Sequence, residues 1–143
     1  MDDLEKARRC ATVMLESDKA SAELGISIDI PKPGSAEARL IVSEDMLNGF
    51  AVCHGGHIFA LADSAFAFAC NAYDQLTLAA GADIDFLKPA YAGDALLAVA
   101  VERSRGGRTG IYDVRVTNQD DEEIAVFRGR SYATRKSIIS TNS

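Results

Sequence analysis

The stretch that decides the fold is Ile58-Phe59-Ala60-Leu61-Ala62-Asp63-Ser64-Ala65-Phe66-Ala67-Phe68-Ala69-Cys70. It is crowded with alanine and apolar on every helical face, the pattern of a helix surrounded by protein rather than laid on a surface. With its flanks, residues 56–73 form a helix roughly 27 Å long, about the width of a small domain. The alanines at 60, 62, 65, 67 and 69 leave room for a sheet to approach closely.

The segments around this helix read as strands. Ile26, Ile28 and Ile30 alternate with polar neighbours, Pro31-Lys32-Pro33-Gly34 turns, and Ala36 to Val42 returns, which predicts a hairpin. Beyond the helix, strands are expected over 77–88, 95–103, 109–118 and 122–133. The breaks are Lys88-Pro89, Ser104 to Arg108 and Asn118 to Asp121. Short turns between the last three imply an antiparallel meander. The expected class is α+β, a long antiparallel sheet curled around one buried helix, with open edges suited to pairing with another subunit. Residues 3–17 carry Leu4, Ala7, Ala11, Met14 and Leu15 at helical spacing. The expected organisation is an N-terminal helical segment over 1–20, one domain over 21–134 and a flexible tail over 135–143.

The bulk properties narrow the function. A net charge of −6 and a pI near 4.8 argue against a general nucleic-acid binder. The charge is uneven. Residues 1–100 hold 7 Lys/Arg against 15 Asp/Glu, and residues 101–143 hold 8 against 6, so the C-terminal third is basic. Such a region either solvates a strand surface or holds a small polyanion. Cys10, Cys53 and Cys70 are dispersed and suggest neither disulfides nor a zinc knuckle. The start, Met1 to Lys6, has no apolar signal core, and Ile58 to Ala72 is too short to span a bilayer. A reducing, cytoplasmic setting without membrane association is expected.

Asp63 is the anomaly in the buried helix, because an ionised carboxylate among phenylalanines is costly unless paired. It is either a structural group bonded to backbone or a functional one. Gly55-Gly56 before the helix either makes a tight turn or presents bare amides to an oxyanion. Asn48 either closes an Asx-turn or orients a ligand. His54, His57 and Asp63 are poorly spaced for a metal, and Cys53 beside His54 is poorly placed for a thiol nucleophile. There is no G-x-S-x-G elbow and no glycine-rich nucleotide fingerprint.

Taken together, Asn48-Gly49 followed by Cys53-His54-Gly55-Gly56-His57-Ile58-Phe59-Ala60-Leu61-Ala62-Asp63 resembles the hotdog thioesterase signature, in particular that of the PaaI-type phenylacetate-degradation thioesterases. The likeness continues through Ala67 to Asn71, Ile84 to Pro89, Tyr91 to Asp94 and Phe127 to Ser131, and covers roughly residues 25–133. It implies a homodimer sharing a ten- or twelve-stranded sheet, paired into tetramers, with active sites at the subunit interface. The implied reaction is hydrolysis of an acyl-CoA, phenylacetyl or hydroxyphenylacetyl by family likeness. No metal or cofactor takes part, since CoA arrives with the substrate. Asn48, His54 and Gly55 would come from one subunit and Asp63 from the other, as general base or nucleophile.

Gly56 would lie against the substrate, and Lys88, Arg105, Arg108, Arg128 and Arg130 are candidates for the CoA phosphates. Arg115, between Val114 and Val116, is expected on a solvated face. One departure stands out. Where some relatives carry Ser or Thr on the strand after the helix, this chain has Ala79, with Thr77 nearby. A non-catalytic acyl-CoA sensor and a hotdog hydratase or dehydratase are the alternative readings.

Overall fold

The computed structural model describes residues 1–142; Ser143, the last residue of the expected tail, lies outside the described residues. Helix α1 (Asp3–Ser17) starts where Asp2 accepts the Glu5 N–H at 2.8 Å, a side-chain cap for an otherwise unpaired amide. Its inward face is Ala7, Cys10 and Ala11, while Leu15 is exposed. The short α2 (Lys19–Leu24) stops at Gly25, whose φ of 72° is left-handed.

The expected hairpin forms from β1 (Ser27–Asp29) and β2 (Ser35–Ile41). Then come α3 (Gly55–Cys70), β3 (Thr77–Phe86), β4 (Ala95–Gly106), β5 (Thr109–Thr117) and β6 (Glu123–Ala133). All pairings are antiparallel, in the order β1-β2-β4-β5-β6-β3. The β4-β5-β6 meander is as read from the sequence. Strand β3 lies on the far edge of the sheet, against β6.

Helix α3 lies in the curl of the sheet, against β2, β4 and β5 above all. Leu61, Ala62, Ala65 and Ala69 are fully enclosed, and Phe66 packs on the rings of Tyr112 and Phe127. Burying a side chain such as Leu61 or Phe66 contributes about 1.5–3 kcal/mol. The sheet makes room for Phe66 at Gly129, where a Cβ would come within 2.7 Å of the ring. At the end of α3, Asn71 donates to Ala67 O and Thr77 O and accepts the Thr77 N–H, so it ties the helix to the first residue of β3.

The expected flexible tail is anchored over its first half. Asp74 Oδ1 accepts from the Ser137 hydroxyl and from the Ile138 and Ile139 amides at 2.8–2.9 Å, and Ile138 is buried. The sequence alone hid this because the anchor lies more than 60 residues away. Strand β3, by contrast, exposes apolar side chains: Leu78 is 55% and Phe86 52% accessible. Among the described residues, no helix is long and apolar enough to cross a membrane.

Candidate active site

The loop before α3 is built around Asn48. Its side-chain oxygen accepts the Phe50 N–H at 2.9 Å and the Val52 N–H at 3.4 Å, while its own N–H donates to Val52 O at 2.8 Å. The Asx-turn reading therefore holds. The turn uses the carboxamide oxygen and leaves the Nδ2 group for contacts outside the loop. The chain then reaches α3 with the Cys53 N–H on Ala90 O and the His54 N–H on Met46 O, both at 2.7 Å.

His54 caps the helix. Its Nδ1 accepts the Gly56 N–H at 3.0 Å, and its carbonyl accepts the His57 N–H at 2.9 Å. Two of the first-turn amides are thus engaged, and the Gly55 amide has no hydrogen-bond partner among the described residues. The N–H of Gly56, a residue expected to touch substrate, is taken up by the cap. An Nδ1 acceptor in the neutral ring places the imidazole proton on Nε2. A Cβ at Gly55 would meet the tip of the half-exposed Phe86 ring at 3.0 Å, a tight contact to which the ring would have to yield. The His57 ring stands edge-on to His54 at 6.2 Å, and its Nδ1 is buried without a hydrogen-bond partner among the described residues.

Asp63 lies eight residues beyond Gly55, about 12 Å along the helix axis. It is half-buried, and burial pushes its carboxyl above the usual carboxylate range. No hydrogen bond or ion pair reaches it among the described residues. It opens onto a cleft of about 510 Å³ between α1, α3 and the start of β3. Thr77 and Ala79 both line this cleft. The Thr77 hydroxyl donates to Gln75 O at 2.8 Å, and Ala79 offers no hydroxyl. Cys70 lines it too, its thiol pushed up to about 12 by burial. Among the described residues, no three His, Cys, Asp or Glu side chains converge as a metal site would require.

The basic candidates are dispersed and each has a partner within the chain. Lys88 pairs with Glu122 at 3.0 Å, Arg130 with Asp83 at 2.9 Å, and Arg128 forms a two-pronged pair with Asp113 at 2.6 and 2.9 Å. The Arg105 guanidinium lies 3.6 Å from the centre of the Tyr73 ring, and Arg108 donates to Ala133 O at 3.1 Å. The candidates fall into two neighbouring pairs, Arg105 with Arg108 at the β4–β5 turn and Arg128 with Arg130 two residues apart on β6, with Lys88 apart from both. Arg115 is exposed and paired with Glu123, as expected of a solvated face. Sequence reasoning missed Met14 and Ile138, which line the cleft with Asp63. Their only signal was the apolar face of α1 and an isolated Ile-Ile pair in a polar tail.

Comparison with known proteins identifies the family and the fold. Residues 50–125 match the thioesterase superfamily. The chain is 44% identical over 127 residues to acyl-coenzyme A thioesterase PaaI of Escherichia coli K12, covering 89% of this chain and 91% of that protein. The solved structure of the E. coli PaaI protein from the phenylacetic acid degradation operon superposes with a TM-score of 0.93 at 41% identity, over 95% of this chain and 99% of that one. Protein smu.793 of Streptococcus mutans UA159, solved bound to acetyl CoA, superposes with a TM-score of 0.74 at 27% identity, over 78% of this chain and 90% of that one. With the buried helix, the strand order and the His54-capped turn in place, this chain belongs to the thioesterase superfamily and has its hotdog fold.

Proposed function

We propose that the protein is an acyl-CoA thioesterase that hydrolyses phenylacetyl-CoA or hydroxyphenylacetyl-CoA at sites shared between two subunits. The observation that carries this reading is the separation of Gly55 and Asp63 on one rigid helix. At about 12 Å they are too far apart to meet one carbonyl within a chain, which supports the arrangement implied by the family likeness, with Gly55, Asn48 and His54 from one subunit and Asp63 from the other. The open edge of β3, with Leu78 and Phe86 exposed, supplies the pairing surface for that dimer. Pairing of dimers into tetramers follows the family likeness.

In this reading the Gly55 N–H, backed by the α3 dipole, donates to the thioester oxygen as negative charge develops there. Asn48 Nδ2 and His54 Nε2 orient the reacting groups. Asp63 either takes a proton from the attacking water or adds to the acyl carbon itself. In both cases the C–S bond breaks, CoA leaves as the thiolate and is then protonated, and the acid is released with one oxygen from water. The phosphates of CoA exchange into the solvent-exposed ion pairs of Lys88, Arg128 and Arg130, or onto Arg105 and Arg108. Three unpaired cysteines fit a reducing cytoplasm.

The test is thiol release from phenylacetyl-CoA by wild type and Asp63→Ala at matched oligomeric state. Loss of turnover in the variant supports the assignment, and unchanged turnover removes Asp63 from the mechanism. Tight acyl-CoA binding by the wild type without thiol release would instead favour a sensor.

A further inference from the structure

The cleft beyond Asp63 is walled by parts of the chain outside the region that matches the superfamily. Residues 50–125 supply Asp63, Phe66 and the start of β3. Val13, Met14 and Ser17 come from α1, and Ile138 comes from the C-terminal segment.

Both additions are fastened. The Asp18 carboxylate accepts the Ser21 hydroxyl at 2.7 Å, and Ser21 Oγ lies 3.3 Å from Ser64 Oγ, next to Asp63. This pins the α1–α2 elbow to α3. At the other end, the Leu76 N–H donates to Lys136 O at 2.8 Å, and Asp74 holds Ser137, Ile138 and Ile139. Asp74 adopts a left-handed φ of 56°, which non-glycine residues rarely adopt and Asp tolerates better than most.

We propose that Met14 and the strap residue Ile138 form the closed end of the acyl pocket and set the size of acyl group the enzyme accepts. The inference rests on Asp63 as the catalytic carboxylate. The cleft lining holds no Lys or Arg and one acid, so it repels a polyanionic nucleotide and admits the uncharged acyl end. Its volume of about 510 Å³ lies in the range of small-molecule pockets. Met14 is unbranched and adaptable, whereas Ile138 is stiff and buried, so shortening either lengthens the cavity.

The test measures kcat/KM for acetyl-, phenylacetyl- and decanoyl-CoA in wild type, Met14→Ala, Ile138→Ala and the milder Ile138→Val. The decanoyl-to-phenylacetyl ratio is expected to rise by about tenfold or more in both alanine variants. Ile138→Trp is expected to reverse the trend, with phenylacetyl-CoA losing more than acetyl-CoA. If an alanine variant does not fold, Ile138→Val and Ile138→Trp still have to move the ratio in opposite directions. Ratios that stay at the wild-type value in the folded variants overturn the proposal. Asp63→Ala, measured in parallel, separates the two claims: its inactivity with unmoved ratios leaves the catalytic reading standing, and its retained turnover removes that reading.

Discussion

His54 Nδ1 accepts the Gly56 N–H at 3.0 Å, and this bond takes up the second amide of α3. With Gly56 held and His57 bonded to the His54 carbonyl, the Gly55 N–H is the first-turn donor left for a ligand.

Replacing His54 by Ala is therefore expected to cost more in catalysis than in stability. The lost capping bond is worth about 1 kcal/mol, a fall in Tm of about 2–4 °C for a chain of this size. A misaligned turn should lower kcat by about 10²-fold. His54→Asn, which keeps an acceptor at the cap, should restore the Tm and part of kcat. Steady-state kinetics beside thermal melts would settle the matter, and equal losses in both variants would contradict a capping role.

Asp63 links activity and stability in opposite senses. Burial raises its folded pKa, so the neutral carboxyl is favoured in the fold. Its stabilising contribution is full below the unfolded value of about 3.9 and is lost as pH rises through the higher folded value. Asp63→Asn should therefore raise the Tm at pH 7 and leave it unchanged near pH 3, while abolishing turnover. In the wild type, kcat/KM should fall on the acid side at a pH above the ordinary carboxylate range. A Tm difference independent of pH would contradict this account.

Asp74 shows the reverse linkage. Burial pushes its carboxyl up, but the Ile139 amide, the Ser137 hydroxyl and the Ile138 amide together hold it below the usual value. The strap is accordingly held above the unfolded pKa and released as pH falls through the lowered folded one. Hydrogen exchange at the Ile138 and Ile139 amides should quicken in that acidic range, and Asp74→Ala should quicken it at pH 7. Protection that persists in the variant would mean that burial of Ile138 alone secures the strap.

Gly129→Ala tests the packing of α3. The added methyl meets the Phe66 ring at 2.7 Å, well inside contact distance. Overpacking of this kind costs about 1–3 kcal/mol. Phe66→Leu in the same chain should recover part of that loss by yielding space, which a double-mutant cycle on denaturation midpoints would measure.

The edge of β3 carries the oligomer prediction. Leu78→Lys with Phe86→Lys places charge on side chains that are about half exposed in one subunit and covered in the proposed dimer. Sedimentation should show smaller species, and turnover should vanish with the shared site. A fully active monomer would sink the split-site reading.

The sequence by itself determined the buried helix, the strand spans, the turns between them and the oddity of Asp63. Those features follow from local periodicity and from backbone preferences at Gly, Pro and Asn, which act over a few residues. It also carried the Asn48 and His54-Gly55-Gly56 turn in readable form, because capping is short-range chemistry.

Only the tertiary structure decided what each group faces. It put Cys10 rather than Leu15 on the inward face of α1 and gave the Gly56 amide to His54. It paired the candidate cations Lys88, Arg128 and Arg130 with Glu122, Asp113 and Asp83. It also brought Met14 and Ile138 beside Asp63 from opposite ends of the chain. Such contacts depend on the curl and order of the sheet, which no local pattern encodes. Asp63 was therefore visible as a residue, while its pocket was not.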